Sequence, residues 1–240
     1  MKTLVVYVFH EINSRVEHFF KNALFEDPAV DFIVVSNNKS NEFTVPPYVK
    51  TLMRHNIGYD FGGWSEALLT HNIYKNYDNF ICVNSSVMGP YLVPYYTGKW
   101  TDIFINGLSN NVKLFGSTIN NACNPHVQSY IFSMDKESLE YLIDAEIFST
   151  TNMAQTFSDA IYEKEIRMSK KILDNGWTIG CLMRSYKDAD FTYKTGQKLV
   201  LLGDVMFEES RNTLWSEYEL VFIKGNRYTP PPATGMVGRW

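Results

Sequence analysis

Four short polar or glycine-rich stretches of this chain each lie close behind a run of apolar residues. They are Phe9-His10-Glu11, Ser36-Asn37-Asn38, the loop from Asn56 to Gly63, and Asn84-Ser85-Ser86. If the apolar runs are parallel strands, these stretches lie together at the carboxyl edge of the sheet, where open α/β sheets bind ligands. Small and polar residues there suit a nucleotide with a flexible pyrophosphate. The sequence contains neither GxGxxG nor GxxxxGK[ST], so a dinucleotide fingerprint and a P-loop are excluded.

The elements that must position these stretches follow an alternating pattern in the first 90 residues. Strands are predicted at 3–9, 31–36, 49–53 and 80–83. A helix is predicted from an N-cap at Ser14 through Leu24, and another over 64–69 after Gly62-Gly63. Strand–helix–strand spacing of this kind predicts parallel pairing with right-handed crossovers, and therefore a Rossmann-like layer.

The second half of the chain is less regular. Helices are predicted at 100–108, at 136–142 with Asp135 as the cap, and at 157–173, closed by Asn175-Gly176. Strands are predicted at 112–118, 127–134, 177–183 and 220–223. We therefore predict one domain at 1–228, with a nucleotide-binding half at 1–90 and a second half at 91–228. A proline-rich tail or the start of a linker follows at 229–240.

Composition excludes several other classes of protein. With 240 residues, 45% hydrophobic and 20% charged, the chain can build the core of one large α/β domain and is not a disordered sequence. A net charge of −4 argues against nucleic acid as a partner. No apolar run approaches the ~18 residues of a membrane span. Three widely spaced cysteines without a CxxC pair favour a reduced, cytoplasmic protein.

Two longer segments carry a family resemblance. Asn56-x-Gly58-x-Asp60-x-Gly62-Gly63-Trp64 and the segment 77–90 resemble the core of nucleotide-sugar glycosyltransferases of the GT-A type. More narrowly, the chain is similar to rhamnan-synthesis and viral capsid-glycan transferases, above all to the N-terminal transferase domains of multidomain chlorella-virus enzymes. The likeness extends from about residue 2 to residue 227.

This resemblance implies a single GT-A-like α/β domain with a mixed, mostly parallel central sheet flanked by helices, in which residues 91–228 form the acceptor-side half. It also implies transfer of a sugar from a UDP-sugar, such as UDP-rhamnose or UDP-glucose, to a glycan or glycoprotein acceptor. Viral capsid glycosylation in the host cytoplasm, and further domains in the same polypeptide, belong to the same expectation. The rival is a catalytically inactive module that binds nucleotide sugars or carbohydrates. An epimerase is disfavoured because the dinucleotide fingerprint is missing.

The resemblance also assigns the nucleotide contacts and the cofactor by position. The expected binding residues are His10, Glu11, Asn37, Asn38, Asp60, Asn84, Ser85 and Ser86. The Asp-x-Asp metal motif of the family should follow the fourth strand, where this chain has Asn84-Ser85-Ser86. Either Mn²⁺ or Mg²⁺ is held by Asn84, Ser86, His126 and substrate oxygens, or basic residues replace the ion. A literal Asp-x-Asp at 188–190 follows a later strand, where a solvated loop is the favoured interpretation.

Glu165 is the expected general base. It lies 11 residues before Gly176, like the acidic residue that points at the acceptor in the family, with Glu163 as the alternative. Another interpretation is that Glu165 merely favours the positive end of an amphipathic helix. His126 is a third catalytic candidate, as a metal ligand, a phosphate contact or a structural hydrogen-bonding residue.

Cationic and aromatic residues give weaker signals. Arg54 and Arg211 could neutralise the leaving group, although no spacing selects either. Most of the aromatic residues near the motifs are expected in the core, with two or three of them stacking on sugar rings near Gly89-Pro90. They are Trp64, Tyr91, Tyr95, Tyr96 and Trp100.

Overall fold

The structure of the chain is a computed structural model that describes residues 1–109 and 111–227. The predicted tail at 229–240 lies outside the described residues. The strands are β1 (Thr3–Phe9), β2 (Val30–Ser36), β3 (Val49–Met53), β4 (Asn79–Asn84), β5 (Val87–Met88), β6 (Val112–Gly116), β7 (Ile119–Asn120), β8 (His126–Val127), β9 (Ile131–Asp135), β10 (Thr178–Cys181) and β11 (Ile223–Lys224).

The helices lie between these strands in chain order. The α-helices are α1 (Ser14–Asn22), α2 (Tyr59–Leu69), α3 (Trp100–Asn106), α4 (Lys136–Asp144), α5 (Phe157–Asp159), α6 (Arg167–Asp174) and α7 (Glu217–Leu220). Short 3₁₀ helices occur at Thr70–Asn76, Arg184–Tyr186 and Glu208–Ser210. A π-helix at Ala160–Ile166 joins α5 to α6, so residues 157–174 form one continuous helical segment.

Seven strands form the central sheet, in the order β10-β6-β9-β4-β1-β2-β3. Strands β4, β1, β2 and β3 pair in parallel, as do β6 and β10, whereas β9 runs antiparallel to β4 and β6. The predicted α/β class with a mixed, mostly parallel, Rossmann-like sheet is therefore confirmed. Strands from both predicted halves of the chain share this one sheet.

The centre of the sheet is buried on both faces because helices cover it. Every residue of β1 and β4 is buried, as the near-continuous apolar runs predict. Helix α2 packs so closely on β1 that a Cβ atom on Gly63 would lie 2.9 Å from Val8 Cγ1. The next residue, Trp64, is fully buried, and its indole N–H donates to the Val83 carbonyl at 3.3 Å.

Some element boundaries differ from the sequence-based prediction because local capping decides them. Helix α2 begins at Tyr59, five residues earlier than predicted, because Gly58 adopts a left-handed conformation (φ 76°) that starts it. The N-cap of α1 is Asn13, whose side chain accepts hydrogen bonds from the amides of Arg15 and Val16. The predicted strand at 127–134 is divided between β8 and β9, and the predicted last strand at 220–223 begins at Ile223 instead.

Candidate functional site

A cleft of about 510 Å³ opens at the carboxyl ends of β1, β2 and β4. His10 follows β1, Asn37 follows β2, and Asn84 ends β4. Two carboxylates line the same cleft, Asp60 at the start of α2 and Glu165 in the π-helix. Ser86 and His126 also line it. The structure thus brings together seven of the residues that the sequence singled out.

Arg54 fixes the amino-terminal side of this cleft without lining it. The buried guanidinium donates to Glu66 Oε2 at 2.7 Å, to Asn37 Oδ1 at 2.5 Å and to the Ile57 carbonyl at 2.7 Å. Asn37 in turn donates through Nδ2 to the Tyr59 carbonyl at 3.1 Å. Arg54 therefore orients Asn37 and the loop before α2, which is a different role from the leaving-group contact considered above.

Asp60 is the carboxylate next to the end of β4. Its Oδ2 accepts a hydrogen bond from Asn84 Nδ2 at 3.0 Å, and Asn84 Oδ1 accepts one from the Ser86 amide at 2.9 Å. Burial raises the pKa of Asp60 to about 6, an effect that the Asn84 hydrogen bond opposes and the nearby Glu165 charge reinforces. The sequence predicted Asp60 at the site but gave no sign of its protonation behaviour.

Glu165 is held by Ser129 and faces His126. Its Oε2 accepts from the Ser129 amide at 2.8 Å and from the Ser129 hydroxyl, while Oε1 lies 3.6 Å from His126 Nε2. His126 Nδ1 lies 2.7 Å from the Asn124 carbonyl, which can only accept, so Nδ1 carries a hydrogen. The Nε2–Oε1 distance is that of an ion pair when His126 carries a positive charge.

Two cations at the C-terminal end of the described chain complete the cleft. Lys224 lies on β11, which pairs with β5 immediately after Asn84-Ser85-Ser86, and the Gly225 amide donates to the Ser86 carbonyl at 2.7 Å. Among the described residues, Lys224 Nζ makes no hydrogen bond or ion pair. Burial lowers its pKa, against the favourable charges of Glu165, Asp204 and Asp60. Arg227 pairs with Asp204 and lies over the Phe207 ring at 5.4 Å.

Sequence reasoning missed both cations. The pattern Lys224-x-x-Arg227 after an apolar run was visible, but nothing in the sequence indicates that this strand returns to the end of β4. Pairing between β5 and β11 joins positions more than a hundred residues apart, so tertiary structure alone brings these charges into the cleft.

Four predicted binding or catalytic residues do not line the cleft. Glu11 and Glu163 are exposed, Asn38 uses its Oδ1 to cap the Ser40 amide, and Ser85 contributes its carbonyl to Arg15 Nε. Glu163 differs from Glu165 because two residues along a helix point to nearly opposite sides. Glu165 is therefore the glutamate of this helix that reaches the cleft.

The remaining predicted residues also lie elsewhere. Arg211 pairs with Glu217, and Asp190 accepts hydrogen bonds from Thr192 in its own loop. Trp64 and Trp100 are core residues, as expected for most of the aromatics. Tyr91, Tyr95 and Tyr96 do not line the cleft either. All three cysteines are free, Cys82 and Cys181 buried and Cys123 exposed.

The residues suggested for a metal fit a divalent ion poorly. Asn84 Oδ1 already accepts from the Ser86 amide, and His126 uses Nδ1 on Asn124 and turns Nε2 towards Glu165. In residues 1–109 and 111–227, no three His, Cys, Asp or Glu side chains are grouped as metal ligands would be. Mn²⁺ and Mg²⁺ favour charged oxygen ligands, which Asn84 and Ser86 do not offer.

The fold and the cleft together define an α/β protein that presents cations, carboxylates and amides at the carboxyl edge of a Rossmann-like sheet. The family model for rhamnan synthesis protein F (RgpF) matches residues 32–213, more than half of the chain, and the chain belongs to this family. Membership implies glycosyltransferase activity in general.

No curated protein matches the chain. In the described part of the structure, no helix has the length and apolar character needed to cross a membrane.

Proposed function

We propose that this protein is a hexosyltransferase that moves a sugar from a UDP-sugar, UDP-rhamnose or UDP-glucose, to a hydroxyl group of a glycan acceptor. Family membership supports the reaction class, and the polar cleft at the carboxyl edge of the sheet suits a nucleotide diphosphate. A viral capsid glycoprotein as acceptor, a special likeness to chlorella-virus enzymes, a cytoplasmic location and further domains stay predictions.

The observation that carries the proposal is the Lys224 ammonium. It is partly buried and lines the cleft without a hydrogen-bonding or ionic partner among the described residues. Removing an ammonium from water is costly, and the carboxylates of Glu165, Asp204 and Asp60 offset this cost only at longer range, since none of them pairs directly with Lys224. A diphosphate would supply a direct anionic partner, and Arg227, which is paired with Asp204, would offer a planar fork for phosphate oxygens. These two cations would stabilise the charge that develops on the departing UDP.

The other cleft residues fit the remaining roles. His10, Asn37 and Asp60 lie at the ends of β1 and β2 and at the start of α2, where the nucleoside is expected. In an inverting reaction the acceptor oxygen bonds to the anomeric carbon and the bond from that carbon to the β-phosphate oxygen breaks. Glu165, as a carboxylate, receives the acceptor proton. In a retaining reaction Glu165 contacts the acceptor instead.

A divalent ion remains part of the proposal as a separate expectation. Mn²⁺ or Mg²⁺ would be held by Asn84, Ser86 and His126 and would supply positive charge to the diphosphate. Because the oxygen donors of Asn84 and Ser86 are neutral, we expect the protein to contribute little to the binding of the ion. UDP affinity should therefore depend more on Lys224 than on Mn²⁺.

The first experiment is a calorimetric titration with UDP, with and without Mn²⁺. We compare the natural chain with Lys224→Met, and use Lys170→Met as the matched control because Lys170 is an exposed helix lysine that pairs with Asp174. We expect Lys224→Met to weaken UDP binding at least about tenfold, or about 1.4 kcal/mol, and Lys170→Met to leave it unchanged. Absence of UDP binding by the natural chain, or equal binding by Lys224→Met, would contradict the proposal.

The second candidate function is a binding module without catalysis. The poor donor set for a metal at Asn84-Ser85-Ser86 favours it. Release of UDP from UDP-glucose or UDP-rhamnose without acceptor distinguishes the two, since a module that only binds the sugar nucleotide releases none. Family membership and the Glu165–His126 pair favour the enzyme.

A further inference from the structure

Two large aromatic side chains line the cleft although most of their surface is exposed. Phe157 is 68% exposed and Tyr162 is 54% exposed, and both border the same cleft as Glu165. The Tyr59 ring lies beside Phe157, with the ring centroids 6.1 Å apart and the planes at 65°. Single exposed apolar side chains are common, but exposed aromatic rings that border one cleft together form the kind of patch that marks a ligand-binding groove. We call Phe157 and Tyr162 the aromatic wall.

The structure holds the wall in place. Phe157 opens the helical segment 157–174, whose start is fixed by a capping box between Thr156 and Asp159. Tyr162 lies in the π-helix, where Lys164 Nζ donates to the carbonyls of Glu146 at 2.6 Å and Asn152 at 2.7 Å. The wall is therefore carried by a rigidly anchored element.

Glu165 lies on the same element as the wall, three residues after Tyr162. Tyr162 and Glu165 both line the cleft from this one element, so a group bound against Tyr162 lies in the same cleft as the Glu165 carboxylate. Lys224 and Arg227 come from a different element, β11 and the residues after it. The cationic groups of the cleft therefore come from β11 and the residues after it, and its exposed aromatic groups come from the helical segment 157–174.

A sugar ring is the ligand class that fits this combination. Pyranose rings present an apolar C–H face that packs on aromatic faces, while their hydroxyl groups need polar partners. Asn120 and Gln128 supply amide groups in the same cleft. On the basis of the proposed function, we propose that Phe157 and Tyr162 form the subsite that binds the acceptor saccharide and brings its hydroxyl group to Glu165.

The donor nucleobase is the other planar group that could stack on this wall. Tyr59 is near the nucleoside side, because its carbonyl is bound by Asn37. The wall and Glu165 share one helical element and one cleft, which favours the acceptor, since an acceptor hydroxyl must reach the base whereas the nucleobase need not. Measuring UDP affinity together with sugar binding separates these two assignments.

The test uses saturation-transfer NMR on the UDP-loaded protein. The probes are methyl α-L-rhamnopyranoside and oligosaccharides from a hydrolysed rhamnan. Phe157→Ala and Tyr162→Ala are compared with Tyr95→Ala, the matched control, since Tyr95 is 84% exposed and outside the cleft. We expect saturation transfer to the sugar ring protons to fall at least threefold in both wall variants and to stay unchanged in the control. Tyr162→Phe should retain it.

The outcomes are distinguishable from failure of the proposed function. If the natural chain binds no UDP, the proposed function fails. If UDP binds but neither probe shows saturation transfer, or if the wall variants keep it, the acceptor subsite is overturned and the donor assignment stands. If Phe157→Ala or Tyr162→Ala weakens UDP binding more than threefold, the wall binds the nucleobase. Melting temperatures of the variants confirm that they are folded.

Discussion

Asp60 is the residue at which the site and the stability of the fold conflict. A carboxyl group at this position is shielded from water, faces the charge of Glu165 and receives one side-chain hydrogen bond, from Asn84. The folded state therefore prefers its protonated form more than the unfolded chain does. Functional clefts commonly retain such unfavourable charges because ligand binding requires them.

Replacing Asp60 by Asn should stabilise the protein in a pH-dependent way. The folded pKa of about 6 lies above the ordinary 3.8, so the stability contributed by Asp60 is complete below about pH 4 and is lost as the pH rises through about 6. The loss amounts to up to roughly 3 kcal/mol. We expect Asp60→Asn to be more stable than the natural chain in urea at pH 8, with the difference vanishing near pH 4. An equal difference at both pH values would contradict this.

Glu165→Gln should separate binding from chemistry. The amide keeps the shape of the side chain but cannot accept the acceptor proton, so transfer should fall by about 10²-fold or more. UDP affinity should change less than threefold, because the phosphates are expected to be held by the cations Lys224 and Arg227 and not by Glu165. Sugar transfer and UDP titration are measured on the same preparation. Normal turnover would remove Glu165 from the role of base, and Glu163→Gln is the control because Glu163 is exposed.

At the scale of elements, the loop before α2 depends on a close backbone approach. A Cβ atom on Gly62 would lie 2.0 Å from the Ile57 carbonyl oxygen and 3.1 Å from Arg54 Nη2. Asp60 and Gly62 lie in the first turn of α2, and the loop before this turn is tied to Asn37 through Arg54. Position 62 therefore requires glycine, because a larger residue would clash in the turn that lines the expected nucleoside side of the cleft.

Gly62→Ala should consequently shift this loop and destabilise the fold by on the order of 1–3 kcal/mol, the usual cost of overpacking. Gly203→Ala is the matched control, because no atom lies within 4 Å of a Cβ built there. Urea denaturation of both variants measures the difference. If Gly62→Ala were as stable as the control, the loop would be able to relax without strain.

The helical segment 157–174 shows how one element can serve both packing and chemistry. Its π-helical part places Glu165 in the cleft while Lys164 and Ile166 on either side are buried. π-helical turns of this kind are frequent at functional sites. The sequence predicted a helix here but not its π-helical turn, since the periodicity of apolar residues does not distinguish the two.

At the scale of the whole molecule, the last described strand ties the C-terminal part of the chain to the first helix. Phe222, next to β11, is fully buried between Phe19 of α1 and Trp100 and Phe104 of α3, with ring centroids 5.0–6.2 Å apart. Phe222 thereby fixes the strand that carries Lys224. Packing of the core and placement of the cationic side of the cleft are thus coupled.

Phe222→Ala should destabilise the protein by about 3–5 kcal/mol, because it leaves a cavity among aromatic rings. It should also weaken UDP binding as β11 loosens. Tyr218→Ala is a suitable control, since Tyr218 is 53% exposed in the preceding helix. Urea denaturation and UDP titration provide both readouts, and a loss of less than 1 kcal/mol would show that β11 is held by other contacts.

Local sequence patterns predicted the class of fold and the carboxyl edge of the sheet as the candidate site. The continuous apolar runs of β1, β2 and β4 are local signals, and so are the polar residues at His10, Asn37 and Asn84 that follow them. Glu165 was expected from the family resemblance, which its spacing to Gly176 matched. The strands and the polar residues depend on near neighbours along the chain, so local pattern was sufficient to predict them.

Which of the candidate residues lie together depends on the tertiary structure. Arg54 donates to Asn37, and Glu163 is exposed to solvent. Lys224 lies beside Ser86 because its strand β11 pairs with β5, which is distant in the sequence. Such contacts depend on side-chain direction and on pairing between distant segments. Side-chain direction and long-range strand pairing produce no periodic pattern in the sequence, because both are determined by the packing of the complete core.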